Sequence, residues 1–152
     1  SIEGNFDNPQ VNALLKKHFI EPKSVSPAGS THVLDISGLK DQSIKFWSLW
    51  ENNLLIGCGA LKFLEDGHGE LKSIRIAESF RKKGYGIKVI QHLILEAKKL
   101  NIQRLSLETG AGSFFLPARK LFEKCGFKNC EPFDNYKENP DSCYMSLQIG
   151  HF

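Results

Sequence analysis

The chain has 152 residues, of which 41% are apolar and 24% charged, and a formal net charge of +3. These values fit one domain large enough to build its own hydrophobic core, over residues 1–152. They exclude the strongly basic profile of a dedicated nucleic-acid binder, and no apolar run approaches the roughly 18 residues of a membrane span. No signal-peptide pattern is seen, so a cytoplasmic location is expected. Cys58, Cys125, Cys130 and Cys143 form no CxxC pair and have no histidine at metal-ligand spacing. Reduced, mostly buried thiols and no bound metal are therefore expected.

The elements follow in chain order. Asp7-Asn8-Pro9 joins a cap candidate to a proline at a helical first turn. Val11, Leu14, Leu15 and His18 or Phe19 then recur at helical spacing. Residues 21–42, rich in Pro, Ser and Gly, read as a loop. Ile44 to Trp50 reads as a strand, Glu51-Asn52-Asn53 as a turn and Leu54 to Leu64 as a second strand. Gly57 and Gly59 inside that strand point to a close backbone approach or a bulge. Glu70 to Ile76 is a third strand, with Leu71, Ser73 and Arg75 on one face and Lys72, Ile74 and Ile76 on the other.

From Ile87 the period changes. Ile90, Leu93, Ile94, Ala97 and Leu100 form the apolar stripe of an amphipathic helix whose wet side carries Lys88, Gln91, His92 and Lys99. Arg104 to Glu108 is a short strand, and Gly110-Ala111-Gly112 a turn. Leu116 to Lys124 is a helix with Pro117 in its first turn and Gly126 as its stop. Phe127 to Pro132 and Ser142 to Gln148 close the chain as strands. Helix, three strands, helix, strand, helix, two strands is the order of a mixed α/β sheet.

The stretch "RKKGYG" (Arg81 to Gly86) stands at the mouth of the long helix. A glycine-rich turn there bares helical N–H groups that have no internal partner, and the macrodipole adds partial positive charge. The combination is an anion site suited to phosphates. Between Glu70 and Ile90 the cations Lys72, Arg75, Arg81, Lys82, Lys83 and Lys88 face only Glu70 and Glu78. Neither a dinucleotide fingerprint, whose third glycine position is Val89, nor a Walker loop is present. Taken alone, the turn reads more simply as a helix entry with a solvated basic loop, since short glycine motifs recur without a ligand.

With its flanks, the strand–RKKGYG–helix unit resembles motif A of the GNAT superfamily of acyl-CoA N-acyltransferases. The pattern Q/R-x-x-G-x-G/A is met by Arg81, Gly84 and Gly86. "PARKLFEKCGF" (Pro117 to Phe127) is similar to motif B, and "RLSLETG" (Arg104 to Gly110) to the strand between the motifs. The segments "GCGALK", "RLSLETG" and "PARKL" together are similar to a branch of small bacterial N-acetyltransferases. The resemblance runs from about Ile44 to the end. It implies a mostly antiparallel sheet of six to seven strands with helices on both faces, and acetyl-CoA as cosubstrate.

The same resemblance implies cofactor contacts at Arg81, Lys82, Lys83, Gly84, Tyr85, Gly86, Ile87 and Lys88 for the pyrophosphate. It implies main-chain pairing of Ser73, Ile74, Arg75 and Ile76 with the pantetheine arm, and contacts at Thr109, Pro117, Ala118, Leu121, Phe122 and Lys124. Attack of an amine on a thioester needs a base or water chain to remove its proton, and a donor for the developing oxyanion. Glu70 lies fourteen residues before Gly84, the spacing at which such enzymes carry a strand glutamate as base. Glu108 is the second candidate, and His68 a candidate relay. The family's acidic tyrosine is replaced by Phe122, and its motif B asparagine by Phe115, so an acid must come from elsewhere, with Tyr136 and Tyr144 as substitutes, or the thiolate leaves unaided. Trp47, Trp50, Phe133 and Tyr136 are candidates to line an acceptor pocket, or simply to pack a core. The long segment Glu131 to Ser142 is expected to border it.

Three function classes follow. One is an N-acetyltransferase acting on a small amine, amino acid or peptide through a ternary complex. The second is an acyl-CoA-binding sensor or scaffold without turnover. The third, a nucleic-acid binder using the basic turn, is opposed by the acids elsewhere and by the lack of interleaved aromatics. No membrane partner is expected, and the family's frequent dimers allow a homodimer.

Overall fold

A computed structural model of the chain describes residues 2–4, 8–15, 43–80, 84–134 and 136–149. The expected loop over residues 21–42, the helical positions at His18 and Phe19, and Asp7 lie outside the described residues.

One seven-stranded sheet organises the chain. Its strands are β1 (Ile2–Glu3), β2 (Ile44–Glu51), β3 (Leu54–Phe63), β4 (His68–Ile76), β5 (Arg104–Gly110), β6 (Lys128–Asn129) and β7 (Ser142–Gln148). They lie side by side in the order β1-β2-β3-β4-β5-β7-β6, and every pair is antiparallel except β4–β5. Helix α1 covers residues 9–15 of the described part, α2 spans Tyr85–Lys99 and α3 spans Leu116–Lys124. No helix among the described residues is long and apolar enough to cross a membrane.

Local signals set the helix ends. Asn8 is the cap of α1, its Oδ1 accepting from Gln10 N at 2.9 Å and Val11 N at 3.4 Å. Both later helices stop by the same device. Asn101 (φ 63°) and Gly126 (φ 100°) turn left-handed, and Ile102 N and Phe127 N reach back to Ala97 O and Phe122 O, each at 3.0 Å.

Helices flank both faces of the sheet. Val11 and Leu15 of α1 pack on Phe46, Leu55, Cys58 and Ala60. The other face of β2 and β3 offers Trp47, Leu49 and Leu61 to the main core, where α2 contributes Val89, Ile90, Leu93 and Ala97. Alternation along each strand sends its neighbours to opposite cores. Two glycines allow α2 to sit this close. A Cβ on Gly57 would stand 2.3 Å from the Arg75 carbonyl oxygen, and one on Gly59 2.4 Å from Leu93 Cδ1.

The β4 pattern departs from simple alternation. Cys58 pairs with Arg75 and Ala60 with Lys72, so β4 holds one residue more than β3 across this interval. Ser73, at φ 55°, marks the bulge. Parity therefore flips after it: Leu71, Ile74 and Ile76 all face the main core, while Lys72 shares the opposite face with Glu70. The expected grouping of Ile74 and Ile76 with Lys72 is corrected by that extra residue. The closing strand expected over Phe127 to Pro132 reduces to Lys128–Asn129, and Gly110 belongs to β5 rather than to the turn after it. Of the free thiols, only Cys58 is buried; the other three are half-buried.

Gly57→Ala is expected to destabilise the fold by about 1–3 kcal/mol, because backbone rather than a movable side chain fills the space; urea denaturation checks this. Burial pushes the Cys58 thiol up to about 12 from 9.0. A raised folded-state value gives stability that is complete below pH 9.0 and lost as pH climbs towards 12. Urea titrations across that window should show the decline, and Cys58→Ala should flatten it.

Candidate active site

The parallel pairing of β4 and β5 begins at His68↔Arg104 and ends at Leu71↔Leu107. Beyond it β4 continues through Lys72 to Ile76 and β5 through Glu108 to Gly110, without pairing to each other. A wedge thus opens in the middle of the sheet. Strands that part in this way are a place where an extended chain can add to a sheet.

Glu70 sits at the apex of this wedge, 2% exposed. Its Oε2 accepts from Lys72 Nζ at 3.0 Å and from the Tyr136 hydroxyl at 2.6 Å. Lys72 Nζ also donates to the Tyr136 hydroxyl oxygen at 2.9 Å, which closes a triangle. The lysine side chain is 8% exposed. The other carboxylate oxygen, Oε1, is buried with no hydrogen-bond partner among the described residues. Burial, followed by the charge of Glu70 and its hydrogen bond, pushes the Tyr136 phenol far above its ordinary range. Tyr136 therefore holds its proton and gives it to Glu70 as a hydrogen bond, which orients the carboxylate.

The same sheet face carries further polar groups. His68 Nε2 and Ser106 Oγ share a hydrogen bond of 2.6 Å, and burial lowers the His68 imidazole so that its neutral form is favoured. Glu108 Oε2 accepts from Ser142 Oγ at 2.6 Å. Phe133 is buried among the rings of His68, Tyr136 and Tyr144, at centroid distances of 5.6, 5.2 and 6.0 Å. Tyr144 donates to Lys137 O at 2.9 Å. The segment between β6 and β7 thus covers this face with Phe133 and Tyr136.

The helical mouth lies on the far side of the wedge. Gly84 caps α2 with φ 83° and no side-chain hydrogen bond, and a Cβ built there meets nothing within 4 Å. The conformation suits glycine, and the first helical N–H groups have no partner within the helix. Gly86 packs directly on Leu121 of α3, where a Cβ would come within 2.8 Å of Cδ1. Tyr85 stands edge-on to Phe80 at 4.7 Å, and Lys88 Nζ lies 4.8 Å from the Tyr85 ring centre. A hydrogen bond with Glu51 raises the Tyr85 phenol. Ile87 is half-buried in the same turn. Arg81, Lys82 and Lys83 lie outside the described residues.

The remaining candidates fall along the wedge or behind it. Ser73 is buried at the bulge with its hydroxyl unpartnered, and its carbonyl oxygen accepts from Cys58 Sγ at 3.6 Å. Arg75 pairs with Cys58, and Thr109 with Cys143 on β7. Pro117 occupies the first turn of α3 and exposed Lys124 its last. Ala118 and Leu121 pack on the main core. Phe122, the position of the family tyrosine, is itself buried against Phe127 at 5.6 Å. Phe115 lies where a Cβ on Gly110 would stand, and Arg119 donates to the carbonyls of Gly110 and Gly112 at 2.6 and 3.0 Å, which fixes this turn.

Glu70, Tyr136 and Phe133 are thus brought together, with Glu108 on the adjacent strand. Trp47 lies in the core under α2 and Trp50 packs against the core under α1, so the two tryptophans do not join that cluster. Lys72, Ser106, Ser142 and Arg119 were not expected at the site. Only Lys72 carried a signal, since it follows Glu70 by two residues in a strand and so shares its face. Among the described residues, no three His, Cys, Asp or Glu side chains are arranged to hold a metal ion.

A wedge between parallel strands, a glycine-capped helix at its mouth and a buried glutamate at its apex define an acyl-transfer architecture, and comparison with known proteins agrees. A model of the Acetyltransferase (GNAT) family matches residues 9–127. The Bacillus subtilis (strain 168) N-acetyltransferase YsnE is 46% identical over 140 residues, spanning 92% of this chain and 93% of that protein. A solved Klebsiella pneumoniae structure assigned to the acyl-CoA N-acyltransferases superposes with a TM-score of 0.80 at 23% identity, over 98% of this chain and 96% of that one. A GNAT acetyltransferase from Elizabethkingia anophelis, solved with acetyl-CoA bound, gives a TM-score of 0.59 at 28% identity, over 70% and 77% of the two chains. The chain belongs to the GNAT family of acetyltransferases, enzymes whose cosubstrate is acetyl-CoA.

Tyr136→Phe is expected to remove a buried hydrogen bond to a charged acceptor and to cost about 1.5–3 kcal/mol. Urea denaturation near neutral pH measures the loss.

Proposed function

We propose that the chain is an N-acetyltransferase that moves an acetyl group from acetyl-CoA to a primary amine, a small amine, amino acid or peptide, by direct attack within a ternary complex. The observation that carries this reading is the buried Glu70 carboxylate, with one oxygen unpartnered, at the apex of the β4–β5 wedge. Acetyl-CoA supplies the thioester when bound.

The residues present fit it. The open first turn of α2, from Gly84 to Lys88, offers uncapped N–H groups and the positive end of a 15-residue helix dipole to its pyrophosphate. Main-chain groups of Ser73 to Ile76, beyond the last β5 partner, offer strand-like pairing to its pantetheine arm. Thr109 lies on the opposing wall, and Arg81, Lys82 and Lys83 supply cations near the mouth by sequence.

Glu70 is read as the base. Its Oε1 accepts a proton from the incoming ammonium, directly or through one water, since a protonated amine has no free electron pair. Excluding water from the apex strengthens the electrostatics there. Glu108, half-buried and bonded by Ser142, is the alternate carboxylate. No acidic side chain is assigned to the leaving thiolate, because Phe122 stands where the family tyrosine would and Tyr136 retains its proton. The Phe122 substitution also supports a second reading, acyl-CoA binding without turnover.

Calorimetric titration with acetyl-CoA and CoA at low salt is expected to give saturable binding. Gly84→Glu should abolish it by placing a strained, negative side chain at the helix mouth. Absence of binding in the unsubstituted chain would falsify the acyltransferase reading. A thiol-release assay over primary amines, amino acids and short peptides then separates turnover from binding alone. Glu70→Gln is expected to lower kcat by about 100-fold or more while acetyl-CoA binding persists.

A further inference from the structure

Lys72 belongs to none of the contacts that the acyl-transfer reading requires, yet it is buried beside Glu70. Burying two opposite charges costs desolvation that their attraction does not fully repay, so such a pair is weakly explained by stability alone. Its geometry is more specific than a simple ion pair. The ammonium and the phenol converge on the same carboxylate oxygen, at 3.0 and 2.6 Å, and are themselves bonded at 2.9 Å. The second oxygen of the same carboxylate is left buried and without a partner among the described residues. Lys72 reaches this position because it precedes the Ser73 bulge, which would otherwise have to be crossed to keep it on the face of Glu70.

We infer that Lys72 is a positioning residue for Glu70: its ammonium, with the Tyr136 hydroxyl, clamps Oε2 and thereby presents Oε1 alone as the proton acceptor. The inference deepens the reading of Glu70 as base and rests on it. Two donors, one of them charged, occupy Oε2, which draws negative charge to that oxygen and fixes the plane of the carboxylate. Oε1 then points in one direction, with no donor among the described residues competing for it.

Other groups surround the carboxylate and are common to every variant considered. His68 shares its strand and face, and Lys62 is its cross-strand neighbour on β3, paired with Asp134 at 3.8 Å. On β5, Ser106 lies opposite it, with Arg104 and Glu108 two residues to either side. Tyr136 and Asp134 face the cluster from the segment between β6 and β7.

The test uses the whole chain and the best amine of the panel. Lys72→Met is expected to lower kcat by about tenfold or more while the KM for acetyl-CoA stays within about twofold, since the variant loses the orientation of the carboxylate and not cofactor binding. Lys72→Arg, which keeps a charged donor for Oε2, should restore kcat to within about threefold. Full kcat in Lys72→Met, with Glu70→Gln impaired, overturns the clamp. Full turnover in Glu70→Gln removes the base reading instead. Should Lys72→Met not fold, the double variant Glu70→Gln, Lys72→Met is expected to fold, since it buries no charge. A double variant no more stable than the single one would overturn the inference.

Discussion

The structure depends on the parting of two parallel strands. Hydrogen bonding between β4 and β5 stops at Leu71 and Leu107, and everything placed at the site refers to that point. The bulge at Ser73 bends β4 immediately afterwards, as bulges do when they add a residue and local twist to one strand. A sheet that stayed paired to Ile76 would present two satisfied edges and no wedge. Parting separates β4 from β5 in a place held by the antiparallel pairs on either side.

That rigidity comes from the two cores. The α2 core fills one face of the sheet from β2 to β7, and α2 approaches closely because Gly57 and Gly59 present no side chain beneath it. Among the described residues, the α1 core covers the other face over β2 and β3. Over β4, β5 and β7 that second face is instead polar: His68, Glu70, Lys72, Ser106 and Glu108, roofed by Phe133 and Tyr136. A buried polar layer of this kind is tolerable because nearly every group in it is bonded. Glu70 Oε1, which has no partner among the described residues, stands where the proposed chemistry needs an acceptor.

Much of this was legible in the chain. The period-2 runs of β2 and β3, the amphipathic stripe of α2 and the stop at Gly126 are local signals, and each fell within one or two residues of its element. Glu70 and the glycine-bearing helix mouth were also legible, through spacing and through family resemblance. The bulge was not, because Ser73 carries no mark of a left-handed residue in its sequence. Its consequence, the flip of Ile74 and Ile76 to the core, was therefore read on the wrong face. Trp47 and Trp50 were legible only as aromatics, and which core each joins depends on the register of β2 against β3.

The sequence by itself determined the elements and their order, because these rest on short-range periodicity and turn chemistry, and its motifs carried the family resemblance that implies acyl transfer. Only the tertiary structure decided that Tyr136, sixty-six residues from Glu70, would donate a hydrogen bond to that carboxylate, and that Lys72 would complete the triangle. No local rule brings such positions within hydrogen-bond distance. Strand order, the β4–β5 parting and the cover supplied by the segment between β6 and β7 do so, and each is a property of the whole chain folded at once.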